Sequence, residues 1–270
     1  MAERRDSVSE RYEVLLKLAS SCVLKQLKSA LSLFFMPLQA GVCTPGGAES
    51  IAHQVRQVLA DNSNFALVTI DAANAFNSPS RSQIAKALKS NVIFAPLRRL
   101  CGLECAAPSD LFFRDPNDAK HVLKSMMGVR QGSVLGPVFF CAAMHPMLCE
   151  ISRSNKDLRV YAYMDDVSLV GAPDACGKAF QFAQRHLNEM SVKINANKCE
   201  AIKACFMESE KAIMRNMCGN DIAIVEANTD AIRLLGAYVR IRESEEERFV
   251  DVVHRVGIEP FKEAVYVQAH

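Results

Sequence analysis

Arg159-Val160-Tyr161-Ala162-Tyr163-Met164-Asp165-Asp166-Val167-Ser168-Leu169-Val170-Gly171 consists of two apolar, β-prone arms that meet at a pair of carboxylates. Alternation and β-branched content predict a strand on each side, with the Asp doublet at the bend of a tight hairpin. Two like charges side by side raise the cost of ionising each other. Folding gains nothing from that arrangement. A divalent cation removes the cost, and hard cations such as Mg²⁺ are held by a few carboxylates plus phosphate oxygens.

The hairpin needs a neighbour, and Phe65-Ala66-Leu67-Val68-Thr69-Ile70-Asp71 supplies a buried strand that ends on a carboxylate. The segment after it, Ala72-Ala73-Asn74-Ala75-Phe76-Asn77, leads to Ser78-Pro79-Ser80 and a helix. With this strand beside the hairpin, Asp71 joins Asp165 and Asp166 at one sheet edge. Carboxylates so placed can hold two cations roughly 3.5–4 Å apart, the arrangement for in-line phosphoryl transfer. A third segment, Gly128-Val129-Arg130-Gln131-Gly132-Ser133-Val134-Leu135-Gly136-Pro137, joins a glycine-rich turn to an apolar helix. Gly132 and Gly136 let backbone come close to a ligand, and Arg130 and Gln131 offer donors suited to phosphate, sugar or base edges.

Taken in order, Asp-x4-Phe, Arg-Gln-Gly-x-x-Leu-Gly-Pro and Tyr-x-Asp-Asp resemble the palm of the reverse transcriptase family. Pro37-Leu38-Gln39-Ala40-Gly41-Val42 with Pro45-Gly46-Gly47-Ala48-Glu49 is similar to the finger-region segment of non-LTR retrotransposon enzymes. Asn195-Ala196-Asn197-Lys198-Cys199-Glu200 resembles the motif after the Asp-Asp hairpin, and Leu234-Leu235-Gly236-Ala237 resembles the primer-grip approach. The resemblance covers most of residues 30–240.

The resemblance implies an α+β polymerase palm, a small antiparallel sheet backed by helices, with partial fingers and no thumb. Residues 1–64 would be partial fingers, 65–242 the palm with a finger insertion near 91–127, and 243–270 an acidic tail. It implies RNA-directed DNA synthesis, with two Mg²⁺ ions (or Mn²⁺) joining dNTPs to the 3′-hydroxyl of a DNA primer on an RNA template. Asp71, Asp165 and Asp166 would hold the metals, with the Ala72 carbonyl as an extra oxygen. Phe76 would exclude a ribose 2′-hydroxyl, or else pack in the core. Arg130, Gln131 and Gly132 would meet nucleotide or template, or else cap a loop. Tyr163 would lie under the hairpin or near the primer end. Lys198 would protonate the leaving pyrophosphate, or else be a solvated surface lysine. Met164 resembles the retroviral form of the motif. Kinship with target-primed elements implies action in the nucleus. The early end of the chain suggests a truncated copy, whose alternative is an inactive remnant or a weak nucleic-acid-binding module. A palm-sharing RNA polymerase is a further alternative, though those usually carry Gly before Asp-Asp.

Composition fits such a domain without pointing to it. The chain has 270 residues, half of them hydrophobic, enough for a sizeable core and against disorder. No run of eighteen apolar residues exists, so no transmembrane helix is expected. The net charge of +2 is small for a nucleic-acid enzyme. Positive charge is local, at Lys17, Lys25, Lys28, Arg98-Arg99, Lys193 and Lys198. Ten cysteines without a Cys-x-x-Cys pair imply free thiols in a reducing intracellular compartment, with Cys22, Cys141, Cys149, Cys199 and Cys205 buried. Cys101, Cys105 and His121 make at most a partial zinc pattern; packed thiols near a loop explain them better.

Periodicity predicts helices over 7–35, 48–60, 80–89, 133–150 and 174–191. It predicts a hairpin of 111–113 with 121–127 around Asp115-Pro116-Asn117-Asp118, and strands near 199–205 and 234–241.

Overall fold

A computed structural model describes residues 2–130, 132–227 and 232–239. Helices α1 (Ala2–Phe35) and α2 (Gly47–Asp61) lead into β1 (Ala66–Ile70) and the two-residue β2 (Ala72–Ala73). Next come α3 (Arg81–Ser90), α4 (Arg98–Cys105) and the hairpin of β3 (Ser109–Arg114) and β4 (Lys120–Ser125). Helix α5 (Gly136–Ser154) precedes the hairpin of β5 (Arg159–Tyr163) and β6 (Asp166–Gly171). The remainder is α6 (Pro173–Glu189), β7 (Lys193–Ile194), β8 (Glu200–Lys203), α7 (Glu208–Cys218), β9 (Ala223–Glu226), β10 (Ile232–Leu234) and β11 (Ala237–Val239).

The main sheet runs β5-β6-β1-β8-β9. Its first four strands are antiparallel, as expected, and β9 joins parallel to β8. Parallel neighbours need a crossover, and α7 provides it. Neither α7 nor β9 was expected from periodicity. Both are short, and α7 is tied to β8 by a buried pair seven residues apart: Lys203 Nζ donates to Glu210 Oε1 at 2.6 Å.

Strand periodicity divides the sheet into two faces. Ala66, Val68 and Ile70 of β1, with Val167 and Leu169 of β6, belong to one core with Phe139, Phe140, Met144 and Met147 of α5 and Phe180 and Ala183 of α6. Leu67, Tyr161, Val170 and Ile202 face the other way, against Ile51, Val55 and Leu59 of α2. Helices therefore cover both faces, where one was expected; α2 covers only part of the second and leaves a cleft beside it.

Three local expectations change. The apolar stripe of α1 is buried at Leu31 and Phe35, whereas Val14, Leu15 and Leu18 stay exposed. The stretch 234–241 is a hairpin over its described part, because Leu235 (φ 50°) and Gly236 (φ 84°) reverse the chain between β10 and β11. Positive φ at both central residues gives a turn that suits twisted strands. Cys22 and Cys205 are exposed and Cys149 half-buried, while Cys141 and Cys199 are buried; all ten cysteines are free. A side chain within an apolar stretch can still point outward. The acidic tail 243–270 lies outside the described residues.

Candidate active site

The alternation that fills the core also sets the acids. Leu67 and Thr69 share a face of β1, so Asp71, next in period, leaves the strand on that side. Thr69 pairs with Ser168 and Ile70 with Val167, so one further step puts Asp71 opposite Asp166. Tyr163 pairs with Asp166, which leaves Met164 and Asp165 as the two central turn residues. The doublet is thus split: Asp165 projects from the turn and Asp166 opens β6. Met164 is left-handed (φ 57°), unusual for a residue with a side chain.

The three carboxylates feel one another. Burial pushes the Asp165 carboxyl above the ordinary carboxylate range, and the Asp71 charge adds to the rise. Asp166 is raised by burial first, then by Asp165 and Asp71. Asp71 and Asp165 are half-buried and Asp166 is exposed to the cleft. That cleft, about 810 Å³, is lined by Asp71, Tyr163, Asp166 and Lys198 together with Leu234 to Gly236.

The donor set fits a hard divalent cation in kind: carboxylate oxygens only, with the carboxyls of Asp165 and Asp166 raised by burial and by their acidic neighbours. Among the described residues, however, no three histidine, cysteine or carboxylate groups close into a metal cage. An open edge of this kind suits Mg²⁺, which keeps several waters and takes substrate phosphates beside one or two carboxylates.

Two sequence motifs brace the Asp71 strand end. Asn195 N donates to the Asp71 carbonyl at 2.9 Å, and Asp71 N donates to Cys199 Sγ at 3.4 Å. Ala72 is paired with Ile194 on β7. The segment 128–136 docks on the turn after Asp71: Gly128 N donates to Pro79 O at 2.7 Å and Val129 N to Phe76 O at 2.8 Å. A Cβ at Gly128 (φ 68°) would stand 2.5 Å from the Asn77 Cα, so only glycine fits.

Several expected ligand contacts sit away from the cleft lining. Arg130 Nη2 donates to Ser109 Oγ at 3.3 Å, and Nη1 lies 3.8 Å from Glu13. Gly132 is exposed with φ 77°, and Gln131 lies outside the described residues. Phe76 packs against Phe140 with ring centroids 4.7 Å apart and ring planes tilted by 32°, so it is at least a core residue, though part of it stays accessible. Lys198 is exposed at the rim. Arg81 donates to the carbonyls of Gly128 and Ala107. Cys101 and Cys105 gather no third ligand among the described residues: His121 Nε2 lies 3.0 Å from Asp115.

Sequence reasoning missed Gln39 as a site residue and missed buried Glu104, which accepts from Ser133 Oγ at 2.6 Å. Ser133 Oγ in turn accepts from the Leu135 and Gly136 amides that open α5. A polar residue inside an apolar segment is the one sequence signal that marks both.

A mixed sheet with helices on both faces and an acidic edge over an open cleft defines a polymerase-palm architecture. The chain belongs to the reverse transcriptase (RNA-dependent DNA polymerase) family, whose profile matches residues 7–239. It is 27% identical over 187 residues to the retrotransposable element SLACS 132 kDa protein of Trypanosoma brucei gambiense, covering 69% of this chain and 16% of that protein. It thus spans about one-sixth the length of that curated relative. Apo telomerase from Candida tropicalis shares the fold at a TM-score of 0.57 and 12% identity, over 86% of this chain and 41% of that one. Telomerase from Candida albicans in complex with a fragment of telomeric RNA gives 0.51 and 13%, over 84% and 36%. At such identity the likeness concerns the fold alone. No helix among the described residues is long and apolar enough to cross a membrane.

Proposed function

We propose that this chain carries the palm and part of the fingers of an RNA-directed DNA polymerase, joining dNTPs to a DNA primer 3′-hydroxyl on an RNA template. The observation that carries the reading is the β1–β6 register, which sets Asp71 opposite Asp166 with Asp165 at the adjoining turn. Asp71 and Asp165 would hold the Mg²⁺ ions, Asp166 would complete the negative edge, and the Ala72 carbonyl would offer a further oxygen. Bound cations lower the pKa of the attacking hydroxyl and offset charge on the leaving pyrophosphate. The protein's own share is positioning and electrostatics. The sheet fixes the carboxylates; Lys198 at the rim offers a proton or a positive charge to the pyrophosphate; Tyr163 borders the primer end. Phe76, from the turn after Asp71, would crowd a ribose 2′-hydroxyl. Residues 65–242 form the palm in this reading, and 1–64 and 91–127 contribute finger elements. Action in the nucleus follows from kinship with target-primed elements.

The test is Mg²⁺- or Mn²⁺-dependent dNTP incorporation on poly(A)/oligo(dT), with Asp165→Asn as the control. Incorporation that depends on Asp165 supports the reading. Incorporation that survives the substitution, or no turnover even at high Mn²⁺, overturns it for this chain.

A further inference from the structure

A buried side chain from the other end of the sequence holds the turn that carries Asp165. Gln39 is fully buried. Its Oε1 accepts from the Met164 amide at 2.7 Å and from the Gly41 amide at 3.0 Å, and its Nε2 donates to the Met164 carbonyl at 2.9 Å. Both backbone polar groups of Met164 are therefore matched by one carboxamide. The backbone on either side of Gln39 grips β5 as well: Ala162 N donates to Leu38 O and Ala40 N donates to Ala162 O, each at 2.8 Å.

The segment is shaped for this contact. A Cβ at Gly41 would stand 2.3 Å from the Met164 nitrogen, and one at Gly47 would stand 2.2 Å from the Ala40 carbonyl oxygen. Both positions thus require glycine for the arm to lie where it does. The turn it meets has reason to need a brace. Met164 occupies the left-handed region, which costs energy for a residue with a Cβ, and such conformations persist only where the surroundings over-determine them.

We infer that Gln39 is a positioning residue: its carboxamide locks the Met164 peptide and so fixes where the Asp165 carboxylate points. The inference rests on the reading of Asp165 as a metal ligand. Gln39 itself touches neither metal nor substrate. Outer groups that orient a metal ligand typically change affinity by about 10–100-fold when removed. A carboxamide suits the place because it accepts from the N–H and donates to the C=O without any ionisable group to bury.

The test compares wild type, Gln39→Met, Gln39→Glu and Asp165→Asn in the full chain, with Mn²⁺ binding followed by the paramagnetic signal of the free ion. Gln39→Met keeps the volume and loses all three side-chain bonds; Gln39→Glu, measured at a pH where its carboxyl is ionised, keeps the acceptor and loses the donor. The second readout is hydrogen exchange at the Met164 amide in metal-free protein, which activity does not enter. Expected are Mn²⁺ binding abolished by Asp165→Asn, weakened about tenfold by Gln39→Met with melting still cooperative, and a Met164 amide that exchanges faster in Gln39→Met. If Asp165→Asn abolishes binding and folded Gln39→Met binds like wild type, the positioning role is wrong and the polymerase reading stands. If binding ignores Asp165→Asn, the metal reading fails and takes this one with it. If Gln39→Met does not fold, Gln39→Glu decides by the same two measurements. Should neither fold, the amide is a requirement of the fold and the assignment is withdrawn.

Discussion

The Asp71 amide donates to the sulfur of Cys199 at 3.4 Å, and the same thiol reaches back to the Asn195 carbonyl at 3.4 Å. A residue at the end of β1 is thus fastened by one 128 positions later. The thiol is fully buried, so water cannot replace it.

That link predicts the effect of Cys199→Ala. The Asp71 amide loses its acceptor in a dry place, which costs about 1–3 kcal/mol. Cys199→Ser keeps the donor–acceptor pattern and should cost less. Urea unfolding of the two variants measures the difference, and equal midpoints would show that the thiol only fills space.

Asp165→Asn should stabilise the metal-free fold while removing metal binding. Burial and the Asp71 charge raise the Asp165 carboxyl in the folded chain. An acid raised on folding contributes stability while protonated, below its unfolded value, and loses it as pH rises through the folded value. The wild type therefore carries a penalty at pH 7.5 that the amide lacks and that fades near pH 4. The cleft is open to water, so the penalty is at most about 1 kcal/mol, or about 2–4 °C in melting temperature. Thermal melts at the two pH values with and without Mg²⁺ check the sign; a lower melting temperature for the variant at pH 7.5 would contradict it.

His145 gives an opposite pH signature. Its ring lies 4.7 Å from that of Phe34 and 5.5 Å from that of Phe35, between α1 and α5. Burial holds its pKa below the ordinary 6.5, with Arg153 adding to the shift. A base lowered on folding contributes stability above its unfolded value and loses it as pH falls through the folded one. Acidification from about pH 7 to 5 should destabilise the wild type more than His145→Phe. Parallel stability curves for the two proteins would rule this out.

Phe76 separates packing from selection. Its tilted packing against Phe140 means that Phe76→Ala should cost about 2–4 kcal/mol, somewhat less than for a fully buried ring. Phe76→Val, smaller but still apolar, should raise rNTP incorporation relative to dNTP if the exposed part of the ring crowds the sugar. An unchanged ratio with reduced stability would leave Phe76 as core alone.

Gly128→Ala should fail for backbone reasons. Its added methyl meets Asn77 backbone at 2.5 Å and the residue must hold φ 68°. The expected loss is about 1–3 kcal/mol or more, from left-handed strain plus the clash, with the 128–136 segment detached from the turn after Asp71. Rapid hydrogen exchange at Val129, whose amide bonds Phe76 O, would report the detachment.

Much of the site was legible because its signals are local. The doublet, the apolar arms around it and the strand ending on Asp71 follow from period-2 alternation and turn chemistry within a few residues. The long apolar helix after Gly132 and the hairpin around Asp115 were equally readable. The partners of these segments were not. Pairing at 125 positions between Gln39 and Met164 leaves no trace in either segment's periodicity, and the sequence alone placed Gln39 in a finger-region segment without a task. Arg130 illustrates the reverse: its charge suggested phosphate, but the fold brings Ser109 and Glu13 within its reach. Exposure misled at Cys22 and Cys205 because apolar neighbours in sequence do not say which way a side chain points.

The chain's own order of residues determined which acids exist, on which strands and turns they ride, and that each strand presents one face to a core. The tertiary structure decided that Asp71 and Asp166 stand on the same face, that α7 carries β9 parallel into the sheet, and that Gln39 closes on Met164. Strand register and buried hydrogen bonds are settled by which distant surfaces exclude water together, a property of the assembled layers that no short stretch contains.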